Sequence, residues 1–234
     1  MKKVLITGGS RGIGAQCVHD FSKSGYDVYF TYNNSETEAK ILSEETGAYA
    51  VKCDIASAQK VKTALSEIDN IDILINNAGI SQIKMFQDIT EDDWDRIFDT
   101  NIKGMFLVTK NVIGSMIRNK YGRIINIASM WGETGASCEV HYSASKSAVI
   151  GFTKALAKEV APSGITVNCV SPGVIMTDMN SHLTDEDLKI LCDETPVMRV
   201  GEPWEVSRVV MYLADEKAGF ITGTVIPVNG GIVI

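Results

Sequence analysis

The stretch TGGSRGIG at residues 7–14 lies between a short apolar run and a segment with helical periodicity. Its glycines Gly8, Gly12 and Gly14 have a G-x3-G-x-G spacing. Glycine at a strand-to-helix turn permits a tight bend and close approach of a pyrophosphate to the backbone. The N–H groups of the following helix then attract the anion. The alternative is a glycine-rich turn without a ligand.

The same stretch favours a dinucleotide over a nucleoside triphosphate, because no GK[ST] sequence follows the glycines as it does in a P-loop. The predicted cofactor contacts of this loop are Gly8, Ser10, Arg11, Gly12, Ile13 and Gly14.

Around this loop, short β-rich runs alternate with longer helical patterns. The runs are KVLIT, DVYFTY, AYAVKC, DILINN, RIINIA, ITVNCV and TVIPV, and the helical stretches lie near residues 12–24, 35–46, 57–69, 91–119, 142–161 and 203–214. Strands separated by helices pair in parallel. We therefore predict an α/β fold, a single-domain Rossmann-type doubly wound parallel sheet of about seven strands with helices on both faces.

This one dinucleotide-binding and catalytic domain is expected to span residues 1–234. The polar stretch at residues 177–201 interrupts the alternation of strands and helices. We expect it to be a mobile segment that covers the substrate.

The composition, with 45% hydrophobic and 22% charged residues, is that of a globular protein. A net charge of -7 argues against nucleic-acid binding. The sequence contains neither the apolar run of a signal peptide nor one that could span a membrane. We therefore expect a cytoplasmic protein without a membrane partner. The five scattered cysteines include no CxxC pair, so neither a metal site nor a disulfide framework is predicted.

Four predicted strand ends carry glycine, proline or small polar residues, in the stretches TGGSRGIG, NNAG and SPGVIMT and at Ser129. Ligands of doubly wound sheets bind beyond the carboxyl ends of the strands. These four ends are therefore expected to form one site.

The end of the second predicted strand reads TYNNS, at residues 31–35, and contains no acid. An acid there usually holds the ribose 2′-hydroxyl and would repel a 2′-phosphate. Its absence, together with the cation of Arg11, predicts NADPH (NADP+) as the cofactor, with Asn33 among its contacts. The alternatives are a solvated loop cation for Arg11 and helix capping for Asn33, Asn34 and Ser35.

Tyr142 and Lys146 are four residues apart in HYSASK, so they lie one turn apart on the same helix face. A second row is expected to face the core and consists of Ala144, Ala148, Phe152 and Ala155. An ammonium about 4 Å from a phenol could lower its pKa from about 10 to about 7. The pattern predicts a proton-exchanging tyrosine whose pKa is lowered by the lysine. A surface helix pair is the alternative.

These motifs resemble the short-chain dehydrogenase/reductase family across essentially the whole chain. The stretches that carry the resemblance are TGGSRGIG, NNAG, YSASK and SPGVIMTDM, together with Ser129. Within the family, GRIINIAS, GITVNCVSPG and FITGTVIPVNGG are most similar to the 3-oxoacyl-[acyl-carrier-protein] reductases of fatty acid synthesis.

This resemblance implies NADPH-dependent reduction of a ketone, 3-oxoacyl-[acyl-carrier-protein], to a secondary alcohol. The alternatives are a family member that acts on another carbonyl or secondary alcohol, such as a sugar, steroid or xenobiotic, and a non-catalytic dinucleotide sensor.

The resemblance also implies roles for individual positions. Tyr142 is the acid/base, Lys146 activates it and holds the cofactor ribose, Ser129 donates to the carbonyl, and Asn101 positions a water of the proton relay. The implied cofactor contacts are Asp54 and Ile55 near the adenine, Asn77, Ala78 and Gly79 near the ribose, and Pro172, Gly173, Ile175 and Thr177 near the nicotinamide. Asp54 could equally cap the next helix, and Asn101 could be an ordinary polar helix residue.

Some positions depart from the pattern of the carrier-protein reductases, namely Trp131, Glu139 and His141 before the tyrosine, and Pro162 and Ser163 at a frequently basic position. His141 has either a catalytic role or one in the pocket wall or helix start. For docking of an acidic carrier protein, which requires basic residues near the entrance of the cleft, Arg118, Lys120 and Arg123 are the candidates. The family also implies a homotetramer, which the small residues Ser143, Ser147 and Gly151 would permit.

Overall fold

The computed structural model describes residues 1–181 and 183–233. Its strands are β1 (Lys3–Ile6), β2 (Asp27–Tyr32), β3 (Tyr49–Lys52), β4 (Ile73–Asn76), β5 (Gly122–Ile127), β6 (Ile165–Pro172) and β7 (Val225–Val228). Its α-helices are α1 (Gly12–Lys23), α2 (Glu36–Thr46), α3 (Ala58–Leu65), α4 (Glu91–Phe98), α5 (Met105–Asn119), α6 (Trp131–Thr134), α7 (Val140–Val160), α8 (Asp185–Glu194) and α9 (Pro203–Ala214).

The strands form one parallel sheet in the order β3-β2-β1-β4-β5-β6-β7. Alternate residues of β1 face opposite sides of this sheet, as the two-residue period of a strand requires. Val4 and Ile6 pack in one hydrophobic cluster with α1, α2 and α9. Leu5 packs in a second cluster with α3, α5 and α7. The predicted doubly wound α/β fold is confirmed.

The strand order reverses at β1, which pairs with β2 on one side and with β4 on the other. A crevice forms beyond the carboxyl ends of the strands at such a switch point. Thr7 links the two loops there, because its Oγ1 accepts hydrogen bonds from the backbone N–H groups of Asn77 and Ala78, both at 3.1 Å. The side chain of Asn77 also donates to the carbonyl oxygen of Gly8 at 2.9 Å.

The predicted helix at residues 91–119 is interrupted by a π-helical segment, Asp99–Gly104, between α4 and α5. Asn101 and Gly104 are the buried residues of this segment. A Cβ on Gly104 would lie 2.7 Å from Cδ1 of Ile55, so the glycine allows close packing there. The periodicity of apolar residues did not reveal this local change of hydrogen bonding.

One further helix prediction differs from the structure, and one short helix was not predicted. The helix predicted at residues 57–69 ends at Leu65, and its N-cap is Ser57, whose side chain accepts the N–H of Lys60. The alternative that Asp54 caps this helix is therefore wrong. The short helix α6 was not predicted.

The buried face of α7 is not the predicted alanine row. Its buried residues are His141, Tyr142, Ser143, Ser145, Lys146, Val149, Thr153, Ala157 and Val160, whereas Ala155 is exposed and Ala144, Ala148 and Phe152 are half-buried. Polar groups are buried here because they find partners: Asn126 on β5 donates to the hydroxyl of Thr153 at 2.9 Å. The helix therefore packs on the sheet with the face that carries Tyr142 and Lys146.

Residues 177–201 contain α8, which begins with a capping box at Thr184 and whose described residues all remain at least partly exposed. The end of this segment is tied to the rest of the chain, because Gly201 donates to the carbonyl oxygen of Val174 at 2.9 Å. Val197 likewise donates to that of Gly230 at 3.2 Å. Among the helices described, none has both the length and the apolar character needed to cross a bilayer.

Candidate active site

The glycine loop has the geometry of an anion cradle. Gly8 and Gly12 have φ angles of +63° and +55°, which side-chain-bearing residues rarely adopt. Helix α1 begins at Gly12, and the described residues of its first turn include no acid and no side-chain cap. The free N–H groups of this helix start therefore suit a phosphate. A Cβ on Gly14 would lie 2.2 Å from the carbonyl oxygen of Gly8, so the turn tolerates no side chain there.

The loop after β6 lies against this cradle. The Cγ2 atom of Thr177 is 3.1 Å from the position that a Cβ on Gly12 would occupy. Ile175 is buried, and its carbonyl oxygen accepts a hydrogen bond from the side chain of Asn180 at 2.8 Å. Gly173 donates to the carbonyl oxygen of Val228 at 3.0 Å. The structure thus places this predicted nicotinamide segment beside the predicted pyrophosphate loop.

Pro172 connects the same loop to the strand that leads to Ser129, because its carbonyl oxygen accepts the N–H of Met130 at 2.9 Å.

Ser10 and Ile13 are half-buried in the glycine loop and the first turn of α1. Ile13 packs against the hydrophobic cluster that lies under α1 and α9.

The end of β2 leads into an exposed turn, and residues 31–35 contain no acid. Asn33 is exposed, and Ser35 holds the N-cap position of α2 although its side chain makes no capping bond among the described residues. Glu36 follows, and ion pairs with Lys40 at 2.9 Å and Lys52 at 3.0 Å hold the pKa of its carboxyl down at about 2. This acid is therefore already paired with two cations.

Arg11, the predicted partner of a 2′-phosphate, is exposed and lies 3.4 Å from the carboxylate of Asp178. The predicted adenine residues, Asp54 and Ile55, follow β3. The carboxylate of Asp54 accepts the N–H of Ala56 at 3.2 Å and pairs with Lys60 at 3.1 Å. The side chain of Ile55 is buried in the core.

Ser129, Tyr142 and Lys146 come together at the carboxyl edge of the sheet, where their residues are only 7%, 8% and 5% exposed. Ser129 follows β5 at this edge, and the other two face it from the first turns of α7. The Nζ atom of Lys146 donates to the carbonyl oxygen of Ile127 at 2.9 Å and lies 5.6 Å from the centroid of the Tyr142 ring. The structure therefore brings Ser129, Tyr142 and Lys146 together, as the sequence predicted.

The expected lowering of the tyrosine pKa is wrong for this structure. Burial raises the pKa of Tyr142 to about 12, and the hydrogen bond with Ser129 opposes this shift without reversing it. Burial also lowers the pKa of Lys146 to about 8. Our expectation assumed an ammonium about 4 Å from the hydroxyl in a partly solvated site. In the folded chain, loss of hydration is the largest influence on the pKa of each group.

The side chain of Asn101 is held in place by three hydrogen bonds. Its Nδ2 donates to the carbonyl oxygen of Ile80 and to Oγ of Ser145, both at 3.0 Å, and its Oδ1 accepts the N–H of Ile80 at 2.9 Å. A Cβ on Gly79 would lie 3.3 Å from both this Oδ1 and Nζ of Lys146. Gly79 therefore keeps open the space between the predicted relay asparagine and the predicted activating lysine.

The sequence did not single out Asn76 and Asn126, which connect the sheet to the helices of the site. Asn76 donates to the side chains of Thr109 on α5 and Asn126 on β5, at 3.1 and 2.8 Å. Asn126 in turn donates to Thr153 on α7, at 2.9 Å. Asparagine inside two otherwise apolar strand runs was the available signal, since a buried amide needs partners.

Of the residues that depart from the carrier-protein reductase pattern, Trp131 contacts Ser129. The N–H of Trp131 donates to the Ser129 hydroxyl at 3.2 Å. Glu133, on the same short helix, accepts a hydrogen bond of 2.5 Å from Ser171, a fully buried residue of β6. His141 is fully buried, and Glu139 is the half-buried N-cap residue of α7.

The expected carrier-docking cations do not lie beside the cleft of this chain. Arg118 lies in the last turn of α5, Lys120 is the C-cap of this helix, and Arg123 is the second residue of β5. All three therefore lie at the amino edge of the sheet, whereas Ser129 follows the carboxyl end of the same strand. Six residues of strand separate these edges by about 20 Å. Arg123 is also only 5% exposed, and its guanidinium donates to backbone carbonyl groups, including that of Gly122 at 2.9 Å.

Comparisons with known proteins show the family to which the chain belongs. The family described as short chain dehydrogenase matches residues 2–188. The 3-oxoacyl-[acyl-carrier-protein] reductase FabG of Aquifex aeolicus is 42% identical to this chain, over 99% of the chain and 97% of that protein. Acetoacetyl-CoA reductase of Shinella zoogloeoides is 41% identical, over 97% and 96% of the two chains. The FabG reductase of Staphylococcus aureus is 38% identical, over 99% and 98%.

Proposed function

This chain belongs to the short-chain dehydrogenase family, and we propose that it reduces the ketone of a 3-oxoacyl thioester to a secondary alcohol with NADPH. Family membership makes it an oxidoreductase that acts on a ketone or secondary alcohol and uses a nicotinamide dinucleotide. The names of the relatives support a 3-oxoacyl group on acyl carrier protein, with the coenzyme A thioester as a close analogue. The observation that carries the proposal is the burial of Ser129, Tyr142 and Lys146 together beside the glycine loop.

The side chains divide the work of the reaction. Ser129 donates a hydrogen bond to the substrate oxygen, and the N–H of Trp131 occupies one of its lone pairs at 3.2 Å and so helps to orient the hydroxyl. The bound dinucleotide supplies the hydride. Tyr142 keeps its proton at neutral pH, because burial raises its pKa to about 12, and donates this proton as charge develops on the oxygen.

Lys146 stabilises the phenolate that proton donation leaves behind. Its ammonium lies over the ring of Tyr142, 5.6 Å from the centroid, in a region of low dielectric where the attraction between charges is strong. Its neighbour Asn101 is fixed by the contacts with Ile80 and Ser145 and is the proposed anchor of the proton relay.

NADPH is the proposed form of the cofactor. The exposed cation of Arg11 lies in the glycine loop, and the first acid after β2, Glu36, is already paired with Lys40 and Lys52. A 2′-phosphate would therefore meet the cation of Arg11, while the carboxylate of Glu36 is already neutralised by its two lysine partners.

Three further proposals concern the domain organisation, the segment at residues 177–201 and the assembly of the protein. We propose one domain, in which residues 177–201 cover the substrate. The described part of this segment exposes the apolar side chains of Met179, Ile190, Val197 and Met198, and Met176 is exposed just before it. We also propose a homotetramer, in which the exposed Ser147 and Gly151 on α7 permit close helix pairing. The cytoplasmic location stays a prediction.

A substrate panel tests the function. Turnover of acetoacetyl-acyl carrier protein and acetoacetyl-CoA would be compared with that of a simple cyclic ketone, each with NADPH and with NADH. We expect both thioesters to be reduced with kcat/KM at least about tenfold above that of the simple ketone. Equal rates would favour the alternative of another carbonyl substrate.

A Tyr142→Phe variant tests the site within the same panel. Because the phenol is the proposed proton donor, we expect kcat to fall by about 10²- to 10⁴-fold. The Kd of NADPH should stay within about twofold of its original value, since the ring is retained. Undiminished turnover would exclude Tyr142 as the donor. Cofactor binding without turnover of any carbonyl by the unmodified protein would favour the dinucleotide sensor.

A further inference from the structure

His141 is a buried titratable residue that the proposed reaction does not use. It is fully buried in the first turn of α7 and immediately precedes Tyr142. Its Nε2 atom lies 3.1 Å from Oε1 of Gln82, a residue 59 positions earlier in the chain. The imidazole therefore connects the start of the catalytic helix to the loop that follows β4.

The network around Gln82 determines which ring nitrogen carries the proton. The Nε2 group of Gln82 donates to Oδ1 of Asp93 at 2.9 Å, so its amide oxygen faces the imidazole. An amide oxygen only accepts hydrogen bonds, so Nε2 of His141 must be the donor. Nδ1 is then a bare acceptor, and it is buried without a hydrogen-bond partner among the described residues.

Asp93 is a firm anchor for this network. Its carboxylate accepts from Nζ of Lys84 at 2.6 Å and from the N–H of Thr90 at 3.1 Å, within the capping box of α4. Salt bridges and the capping contacts hold the pKa of this carboxyl well below its usual range. Asp93 therefore stays an acceptor at every pH at which the protein would be assayed, and the orientation of Gln82 follows from it.

The loop after β4 is fixed to the site at two further points. Ile80 exchanges hydrogen bonds of 2.9 and 3.0 Å with the side chain of Asn101. The N–H of Lys84 donates to the carbonyl oxygen of Cys138 at 2.7 Å, shortly before α7 begins. Between these points, the contact of Gln82 with His141 holds the first turn of α7 itself.

We propose that His141 is a positioning residue for Tyr142: the neutral imidazole, with its proton on Nε2, holds the first turn of α7 against Gln82, and protonation of Nδ1 loosens this turn. The inference rests on the proposed role of Tyr142 as proton donor. It extends that role by assigning the residue that aligns the tyrosine and a pH at which alignment is lost.

Protonation is unfavourable here because it would create a charged N–H donor in a buried place without an acceptor. Burial lowers the pKa of His141 from its ordinary value of 6.5. The charged groups around it act in both directions, since Asp93 raises this pKa while Arg96 and Lys84 lower it. The imidazole is therefore neutral above pH 6.5. As the pH falls below that value and through the folded-state pKa, the imidazole becomes charged and the contact of the first turn of α7 with Gln82 loosens.

The pH dependence of kcat tests this assignment. His141→Gln keeps an N–H donor near the position of Nε2 but cannot take up a proton. We expect the unmodified protein to lose kcat on the acid side of pH 6.5 and the glutamine variant to lack this acid limb. The matched control is His19→Gln, because His19 is half-exposed and 3.8 Å from Glu45 at the surface. The control should keep the acid limb.

Removing either partner of the contact tests alignment itself. His141→Leu and Gln82→Leu should each lower kcat by roughly tenfold at pH 8, with KM and the Kd of NADPH within about twofold, because small misplacements of a reacting group cost rate more than binding. Rescue of kcat by His141→Gln, compared with His141→Leu, would show that the donor is what matters. An acid limb that persists in His141→Gln, or unchanged kcat in both leucine variants, would overturn the proposal.

A spectroscopic readout separates this inference from the proposed function. Nitrogen-15 NMR of the imidazoles, assigned by comparison with His141→Gln, reports the tautomer without turnover. We expect the Nε2–H tautomer for His141 at pH 7.5, and its loss in Gln82→Leu. The Nδ1–H tautomer would refute the proposed positioning role of His141 even if the enzyme reduces 3-oxoacyl thioesters. Failure of Tyr142→Phe to reduce turnover would instead refute the proposed role of Tyr142 as proton donor and leave the tautomer result intact.

Discussion

The ammonium of Lys146 lies 5.6 Å from the centroid of the Tyr142 ring, but its hydrogen bond goes to the carbonyl oxygen of Ile127. Both side chains are buried, so each neutral form is favoured: the pKa of Tyr142 is raised to about 12 and that of Lys146 is lowered to about 8. The pair is thus arranged to keep the proton on the tyrosine and to stabilise the phenolate once the proton has left.

The first prediction concerns the alkaline side of the pH profile. Because the pKa of Lys146 is about 8, its ammonium is lost above that pH, whereas Tyr142, with a pKa of about 12, keeps its proton. We expect kcat/KM for ketone reduction, which reports the free enzyme, to fall as the pH rises through about 8. Steady-state assays from pH 6 to 10 would measure this, and a profile that stays flat to pH 10 would contradict the assignment.

The second prediction is that Lys146→Met makes the protein more stable and inactive. A pKa lowered from 10.5 to about 8 corresponds to about 3 kcal/mol against the buried charge at neutral pH. Methionine removes this cost but leaves the carbonyl oxygen of Ile127 unpaired, so we expect a net gain of about 1–2 kcal/mol in the free energy of unfolding at pH 7. Urea denaturation measures it.

The same variant has a characteristic pH dependence. Between pH 8 and 10.5 the unfolded chain binds more protons at Lys146 than the folded chain, so the stability of the unmodified protein rises with pH. The advantage of Lys146→Met should shrink over this interval. The control is Lys62→Met on the exposed surface of α3, which we expect to change stability by less than about 0.5 kcal/mol. A loss of stability in Lys146→Met at pH 7 would contradict this account.

The third prediction concerns cofactor choice. Arg11→Gln removes the exposed cation of the glycine loop, and we expect the Kd of NADPH to rise about tenfold while that of NADH changes little. Asp178→Asn should tighten NADPH binding, because it frees Arg11 from its 3.4 Å ion pair. Fluorescence titration gives both constants. An equal loss for the two cofactors would mean that Arg11 contacts the pyrophosphate and not the 2′-phosphate.

The fourth prediction contrasts two glycines. A Cβ on Gly14 would lie 2.2 Å from the carbonyl oxygen of Gly8 and 2.5 Å from Nδ2 of Asn77, so Gly14→Ala must displace the loop. We expect Gly14→Ala to abolish measurable binding of both cofactors and to lower the Tm. The matched control is Gly114→Ala on α5, where a Cβ would lie 3.6 Å from Nη1 of Arg118, an ordinary van der Waals distance.

This control should raise the free energy of unfolding by about 0.5–1 kcal/mol, since alanine favours the helix. Calorimetry and cofactor titration on both variants provide the measurement. Normal cofactor binding by Gly14→Ala would show that the loop tolerates a side chain and is not the cradle proposed here.

Local patterns in the sequence predicted most of the scaffold. The apolar runs corresponded to all seven strands, and the glycines of residues 7–14 lie at a turn where Gly8 and Gly12 have positive φ angles. Both features follow from the backbone and its nearest neighbours, so a short stretch suffices to specify them. The spacing of Tyr142 and Lys146 likewise placed both on one face of α7.

Local patterns failed where a residue's environment depends on distant parts of the chain. The alanine row of α7 was assigned to the core, but polar contacts with β5, such as that of Thr153 with Asn126, turn the other face inward. Arg123 was assigned to the cleft entrance, but its place near the start of β5 puts it at the amino edge of the sheet. The π-helical segment around Asn101 was also missed.

The sequence by itself therefore determined the type of fold, the order of its elements and which residues stand at the carboxyl ends of the strands, because periodicity and glycine conformation act over a few residues. The tertiary structure alone decided the pKa values of Tyr142 and Lys146 and the pairing of His141 with Gln82. Those properties depend on the water excluded by packing and on contacts between segments far apart in the chain, neither of which is encoded in any single stretch.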